Sequence, residues 1–151
     1  MKSTLAFLFV LIQATLAAQD GPRQTITIPD VEGYKVLKAD VHMHTVFSDG
    51  LVWPDFRVNE AWQEGLDVIA ITEHIEYRPN KADVNGDHNR AYQIAREAGQ
   101  RAGIVVIPGS EITRRMPPGH FNALFITDAN KLDVPDWKDA FREARRQGAF
   151  I

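Results

Sequence analysis

The chain has 151 residues, of which 44% are hydrophobic and 25% are charged, and its formal net charge is −3. This length is sufficient for one globular domain with a sizeable core, and the acidic balance argues against a nucleic-acid-binding protein. The chain contains no cysteine. A disulfide framework and a thiolate metal site are therefore excluded, and any metal must be held by nitrogen and oxygen ligands.

The first residues have the pattern of a secretory signal. Lys2 supplies a positive charge, residues 5–12 form an apolar run, and residues 14–18 are mostly small. This pattern predicts a signal peptide over residues 1–18, and the apolar run is short for a membrane span. The alternative is an anchor that is not cleaved. We expect an exported protein, periplasmic or extracellular, with no membrane association beyond the signal.

The segment that follows shows no helical period. Residues 19–33 contain two prolines and two glycines and read as a leader, in which residues 25–28 can form a short edge strand. The main domain is expected over residues 34–151.

Strands and helices alternate at the start of this domain. In chain order, the predicted elements are a strand over residues 34–44, a helix from Pro54 to Gly65, a strand over 67–72, a helix from Asp87 to about Arg101 and a strand over 104–108. The second strand is almost continuously apolar, as is typical of a strand buried on both faces. This order predicts a parallel α/β sheet or barrel.

The alternation breaks after the third strand. Residues 114–119 form a turn and residues 120–126 return as a strand, which must be antiparallel because the connection is too short for a crossover. A helix beginning near Pro135 and a strand start at residues 149–151 follow. Because an unpaired edge is avoided in natural sheets and such barrels take about 250 residues, we expect the N-terminal part of a longer barrel.

Candidate metal ligands occur at or just beyond the ends of these strands. In a strand, alternate side chains share a face, so a His-x-His pair can grip one ion. The candidates are His42, His44, Asp49, His74, Glu111 and His120. Imidazole and carboxylate without thiolate favour Zn, Mn or Fe, and six ligands exceed the needs of one tetrahedral ion. Two or more ions are therefore expected.

Two adjacent metal ions are typical of phosphate-ester hydrolysis, in which one ion acidifies a bound water to hydroxide. Arg78, Arg114 and Arg115 follow ligand-bearing strands and are candidates to clamp the phosphate. Each is equally well explained as an exposed loop arginine. His88, in the first turn of a predicted helix, is expected to be an exposed histidine without a metal role.

Taken together, these motifs resemble a known family. The pattern Asp-x-His-x-His-Thr-x-x-Ser-Asp-Gly from Asp40, the triplet Thr-Glu-His ending at His74, the triplet Gly-Ser-Glu ending at Glu111 and the pair Gly-His ending at His120 resemble the polymerase and histidinol phosphatase (PHP) domain. The resemblance covers residues 36–151 and is closest to the secreted phosphodiesterase branch. It implies a distorted (β/α)7 barrel, here only its N-terminal part, with two or three divalent metal ions.

The resemblance also implies a role for each ligand. His42 and His44 would hold the first ion, with Glu111 bridging to a second ion on Asp49 and His74, and a third ion would use His120. Asp40 would orient a ligand imidazole.

Two departures from the family pattern stand out. Glu73 occupies a position where the family usually has Asp, and the family's later ligands have no counterpart here. The chain by itself is therefore expected to lack part of the metal cluster.

The leading hypothesis is a secreted metal-dependent phosphoesterase, favouring phosphodiesters, that acts on a small-molecule phosphate ester. One alternative is an amidohydrolase-type enzyme that cleaves C–N bonds, since that class also opens with His-x-His on a barrel strand. The other is a metal-binding module or inactive fragment without turnover. The sequence leaves the metal and the oligomeric state open.

Overall fold

A computed structural model describes residues 22–151 of the chain. The predicted signal peptide and the first residues of the leader lie outside the described residues. Within residues 22–151, no helix combines the length and apolar character needed to cross a bilayer.

Helices and strands alternate up to a terminal hairpin and a last helix. The elements are β1 (Ala39–Met43), α1 (Pro54–Gln63), β2 (Val68–Ile71), α2 (Arg90–Ala102), β3 (Val105–Thr113), β4 (His120–Leu124), a 3₁₀ helix (Ala129–Leu132) and α3 (Trp137–Arg146). The four strands form one sheet in the order β1-β2-β3-β4. The predicted α/β class is confirmed, and the curled sheet is the N-terminal part of a distorted barrel.

The nine-residue strand β3 is shared between two kinds of pairing. Its first half runs parallel to β2, with Val68 opposite Val105, and β2 in turn runs parallel to β1. Its second half pairs antiparallel with β4, from Gly109 opposite Leu124 to Thr113 opposite His120. The predicted hairpin is confirmed, and it extends β3 beyond the predicted end of that strand.

Helices α1 and α2 cover the parallel part of the sheet. Val58 of α1, Ile69 and Ile71 of β2 and Ala95 of α2 are fully or almost fully buried in one cluster. Small residues dominate the inner face of α2, and a Cβ on Gly99 would lie 2.6 Å from Cγ2 of Val106. The helix therefore packs tightly against β3, and a second cluster lies between the hairpin and α3.

The N-terminal part of the domain is less regular than predicted. β1 begins at Ala39 and not at residue 34, because the backbone N–H groups of Val31 and Tyr34 each donate to the other residue's carbonyl across a tight turn. Residues 25–28 form no strand. Instead, the backbone N–H of Gln24 donates to the carbonyl of Gln63 at 2.7 Å, which ties the leader to the end of α1.

Two other element boundaries differ from expectation. Helix α2 starts at Arg90 because the carboxylate of Asp87 accepts the N–H of Asn89 at 2.9 Å and forms a turn before the helix. The expected strand at residues 149–151 is reduced to an isolated bridge between Leu124 and Phe150.

Candidate metal centre

The loop after β1 carries two of the candidate ligands, His44 and Asp49, and is tightly folded. The N–H of Gly50 donates to the carbonyl of Thr45 at 2.9 Å. A Cβ on Gly50 would lie 2.6 Å from the backbone carbon of His44, which real Cβ atoms do not approach so closely. Glycine is thus required here because the backbone passes directly over the first ligands.

A buried carboxylate holds this loop from the side of the core. Glu73, two residues after β2, is only 4% exposed and accepts hydrogen bonds from the hydroxyls of Thr45, at 2.5 Å, and Ser48. Hydrogen bonds to a charged group in a buried setting are strong. The glutamate that departs from the family pattern therefore positions the ligand loop.

All six predicted ligands converge at one end of the sheet. Their ligand atoms form three overlapping groups, within each of which the atoms lie no more than 4.8 Å apart. The groups are His42, His44 and Glu111; His44, Asp49 and His74; and His74, Glu111 and His120. Residues up to 78 positions apart in the chain, such as His42 and His120, thereby come together.

The first group has the dimensions of a metal site. Nε2 of His42 and Nε2 of His44 are 3.0 Å apart, and Oε2 of Glu111 lies 3.5 Å from the first and 3.2 Å from the second. Zinc bonds of about 2.0–2.1 Å imply ligand atoms about 3.3–3.4 Å apart in a tetrahedron. The donor set and its spacing therefore fit a divalent ion.

The other two groups share ligands with the first. Asp49 lies 3.1 Å from Nδ1 of His44 and 3.4 Å from Nε2 of His74. Oε1 of Glu111 lies 3.3 Å from Nδ1 of His74 and also contacts the ring of His120. Because Glu111 presents one oxygen to the first group and the other to the third, it is placed to bridge two ions.

The ligand histidine at the centre of the cluster has a perturbed pKa. Burial lowers the pKa of His44, and the neighbouring imidazole of His74 lowers it further, against the opposing effect of Glu111. A neutral imidazole is the form that binds metal. The lowered pKa of His44 thus favours its ligating form.

The β3–β4 hairpin supplies two contacts that sequence analysis missed. The hydroxyl of Thr113 lies 2.6 Å from Nδ1 of His74, and the side-chain amide of Asn122 lies 2.5 Å from Nδ1 of His42. Each follows a two-residue step from a predicted ligand, since Thr113 is two residues after Glu111 and Asn122 two after His120. Strand alternation would have placed both on the ligand face.

The arginines predicted to clamp phosphate occupy different positions. Arg78 donates to the backbone carbonyls of Phe47, Asn85 and Gly86, so it braces the loops. Arg114 donates to the carbonyl of Val134 at 2.7 Å and pairs with Glu76 at 2.8 Å.

Arg115 and Asp40 are both exposed. Arg115 lines the cleft beside the metal ligands. Asp40 accepts the backbone N–H of His42 at 3.0 Å, a contact with the main chain and not with a ring. Among the predicted arginines, Arg115 thus has the greatest freedom to meet a substrate.

This cleft has a volume of about 550 Å³ and opens directly onto three of the ligands. It is lined by Asp49, His74, Glu76, Tyr77, Thr113, Arg114, Arg115 and His120. The ring of Tyr77 meets the ring of His74 edge to face, 5.7 Å between centroids. Burial raises the pKa of Glu76, although its contacts with Thr113 and Arg114 act in the opposite direction.

His88 lies away from this centre. The expectation that it is an exposed histidine is wrong, because its side chain is only 8% exposed and its Nε2 faces Asp133 at 3.5 Å. It precedes α2 and contacts the segment around the 3₁₀ helix.

Comparison with known proteins identifies one family. Residues 40–149 match the PHP domain. The comparison with curated proteins returned no match.

Solved structures similar to this chain are longer. A two-domain protein from Bacteroides vulgatus, containing a predicted PHP-like metal-dependent phosphoesterase, is 60% identical with a TM-score of 0.84, over 86% of this chain and 38% of that protein. A protein from Bifidobacterium adolescentis, whose metal-dependent phosphoesterase function is inferred, is 28% identical with a TM-score of 0.51, over 66% of this chain and 31% of that one.

An amidohydrolase from Chromobacterium violaceum, solved with sulfate and without metal, is 24% identical with a TM-score of 0.52, over 72% of this chain and 34% of that one. This last likeness concerns the fold alone. The chain spans less than two fifths of the length of each of these three proteins.

Proposed function

Because the chain belongs to the PHP domain family, we propose that the protein is a metal-dependent phosphoesterase that hydrolyses a small-molecule phosphate ester at the convergent cluster. The observation that carries the proposal is the meeting of four imidazoles and two carboxylates within three groups of ligand size. This donor set has no thiolate and suits Zn, Mn or Fe. Two or three such ions are proposed.

The ligands divide between the ions by the atoms that face each other. His42, His44 and Glu111 would hold one ion, Asp49 and His74 another, and His120 would join Glu111 at a third. Divalent ions at such a centre lower the pKa of water and neutralise charge on phosphoryl oxygens. The side chains of the cleft would bind and orient the substrate.

Arg115 is the proposed phosphate-binding arginine. It is exposed on the cleft next to the ligands. In contrast, Arg78 and Arg114 both donate to backbone carbonyls, and Arg114 also pairs with Glu76. A guanidinium presents paired donors that match a phosphoryl group. Tyr77 lines the same cleft, which has room beside the ligands for the leaving group of the ester.

Preference for diesters and export from the cytoplasm are further parts of the proposal. The diester preference follows from the likeness of the motifs to the secreted branch of the family, and export follows from the signal-like pattern of residues 1–18. Cleavage at that pattern would be detected by sequencing the N-terminus of the mature protein.

The test compares Glu111→Gln and His42→Ala with Glu97→Gln, an exposed change on α2, in the full-length protein that carries this chain. We expect both ligand variants to lose turnover by at least about 100-fold, because changes to the groups that merely orient metal ligands already cost about 10- to 100-fold. Paired nitrophenyl phosphate diester and monoester assays, with a nitroanilide amide beside them, report the reaction class.

Wild-type turnover in either ligand variant, with bound metal quantified, would refute the ligand assignment. Cleavage of the amide alone would favour the amidohydrolase alternative. Stoichiometric metal without hydrolysis of any substrate would favour a binding module.

A further inference from the structure

Strand β4 contacts the ring of His42 through the side chain of Asn122. The side chain of His42 is 51% exposed, so packing alone does not fix the ring. The amide of Asn122 reaches Nδ1 at 2.5 Å, and Asn122 lies directly opposite Glu111 in the hairpin. The residue that pairs with the bridging carboxylate therefore also contacts the first ligand histidine.

The two ring nitrogens of His42 face different partners. Nε2 lies 3.0 Å from Nε2 of His44 and 3.5 Å from Glu111, so it is the nitrogen that belongs to the metal group. A neutral imidazole carries one hydrogen, and the nitrogen without it provides the lone pair. Metal binding through Nε2 therefore requires the hydrogen on Nδ1, and a hydrogen-bond acceptor beside it.

The side chain of Asn122 can serve as either donor or acceptor. Its amide group lies against Nδ1 of His42 at 2.5 Å, with Nδ2 as the nearer amide atom. The other amide atom, Oδ1, is buried and has no hydrogen-bond partner among residues 22–151. Because the oxygen and the nitrogen of an amide occupy nearly the same volume, a half-turn of the amide brings Oδ1 to Nδ1 in the same space.

We propose that Asn122 is a positioning residue for His42. Its carbonyl would accept a hydrogen bond from Nδ1–H, hold the ring in place and direct the Nε2 lone pair at the ion. This inference rests on the metal centre of the proposed function and is independent of the ester that is hydrolysed.

The experiment measures the hydrogen position and the metal affinity separately. Long-range ¹H–¹⁵N NMR of the full-length protein assigns the ring hydrogen of His42 in the zinc-bound state. Zinc affinity is measured by competition with a chelator for the wild type and for Asn122→Leu, Asn122→Asp and Asn59→Leu. The last variant makes the same change on the exposed face of α1.

We expect the hydrogen on Nδ1 of His42 in the zinc-bound wild type. Asn122→Leu should weaken zinc binding by about 10- to 100-fold, Asn122→Asp should retain it because a carboxylate accepts the Nδ1–H bond, and Asn59→Leu should match the wild type.

A hydrogen on Nε2 of His42 in the zinc-bound wild type would overturn the proposal. Equal affinity of Asn122→Leu and Asn59→Leu, or equal losses in Asn122→Leu and Asn122→Asp, would do the same. If Asn122→Leu does not fold, the NMR assignment and the aspartate variant still decide. Zinc affinity that depends on Asn122 in a protein without phosphoesterase activity would support this inference while rejecting the proposed function.

Discussion

At the scale of single residues, the metal centre depends on Gly50, which has no side chain. Gly50 lets the loop after β1 turn back over its own first residue, so that His44 and Asp49 come within 3.1 Å of each other. The hydroxyls bound by Glu73 then hold that geometry from the core side. The ligands are thus positioned by backbone approach and buried hydrogen bonds.

Replacing Gly50 by alanine tests this arrangement. The added Cβ would lie 2.6 Å from backbone atoms of His44, so the loop must move. We expect about 1–3 kcal/mol of destabilisation, the usual cost of overpacking, together with weaker zinc binding. Urea denaturation and zinc competition measure the two effects.

Gly86→Ala is the matched control, since a Cβ there meets nothing within 4 Å. Zinc binding by Gly50→Ala that equals that of the control would show that the close approach does not shape the site.

At the scale of elements, polar contacts join the start of α2 to the 3₁₀ helix. Asn89 donates to Asp128 at 2.9 Å, Asn130 donates to Asp87 at 2.7 Å, and His88 faces Asp133. These contacts hold the loop after β4 against the loop after β2. The first residues of the loop after β2 line the cleft. The buried histidine makes this junction sensitive to pH.

Burial lowers the pKa of His88, the charge of Arg78 lowers it further, and Asp133 and Asp87 oppose the shift. The unfolded chain therefore takes up a proton before the folded one does. As pH falls through about 6.5, the ordinary imidazole value, stability should fall. We expect His88→Gln to lose less stability than the wild type over this range.

Free energies of unfolding from urea titrations at several pH values measure this difference. Parallel pH profiles for the two proteins would mean that His88 does not contribute to the pH dependence.

At the scale of the whole molecule, the metal cluster links distant parts of the chain. Its ligands come from β1 and the loop after it, the segment after β2, and strands β3 and β4. A metal ion that binds only to this folded arrangement stabilises the whole arrangement. We therefore expect zinc or manganese to raise the melting temperature and a chelator to reverse the change.

At a free metal concentration of 100 times Kd, the stabilisation is about 2.7 kcal/mol. For a domain of this size that amounts to roughly 5–10 °C. Thermal melts of the wild type and Glu111→Gln make the measurement, and an equal shift in the variant would place the metal elsewhere.

Local sequence patterns determined the elements and the candidate ligands. Alternation along a strand, apolar runs and turn residues depend on near neighbours, so the α/β order, the antiparallel hairpin and the positions of the six ligands at strand ends were predictable. The contact of His120 with Glu111 followed from the short connection between their strands.

Only the tertiary structure decided which atoms meet. The burial of His88, the pairing of Arg114 with Glu76 and the contact of Asn122 with His42 join segments between 38 and 80 residues apart. A local pattern can place a residue on a face, as it does for Asn122, but it does not encode the partner across such a separation. A sequence names the groups that can donate or accept. Which partner each group takes depends on the packing of the sheet and its helices, because a hydrogen bond forms only within a narrow range of distance and angle.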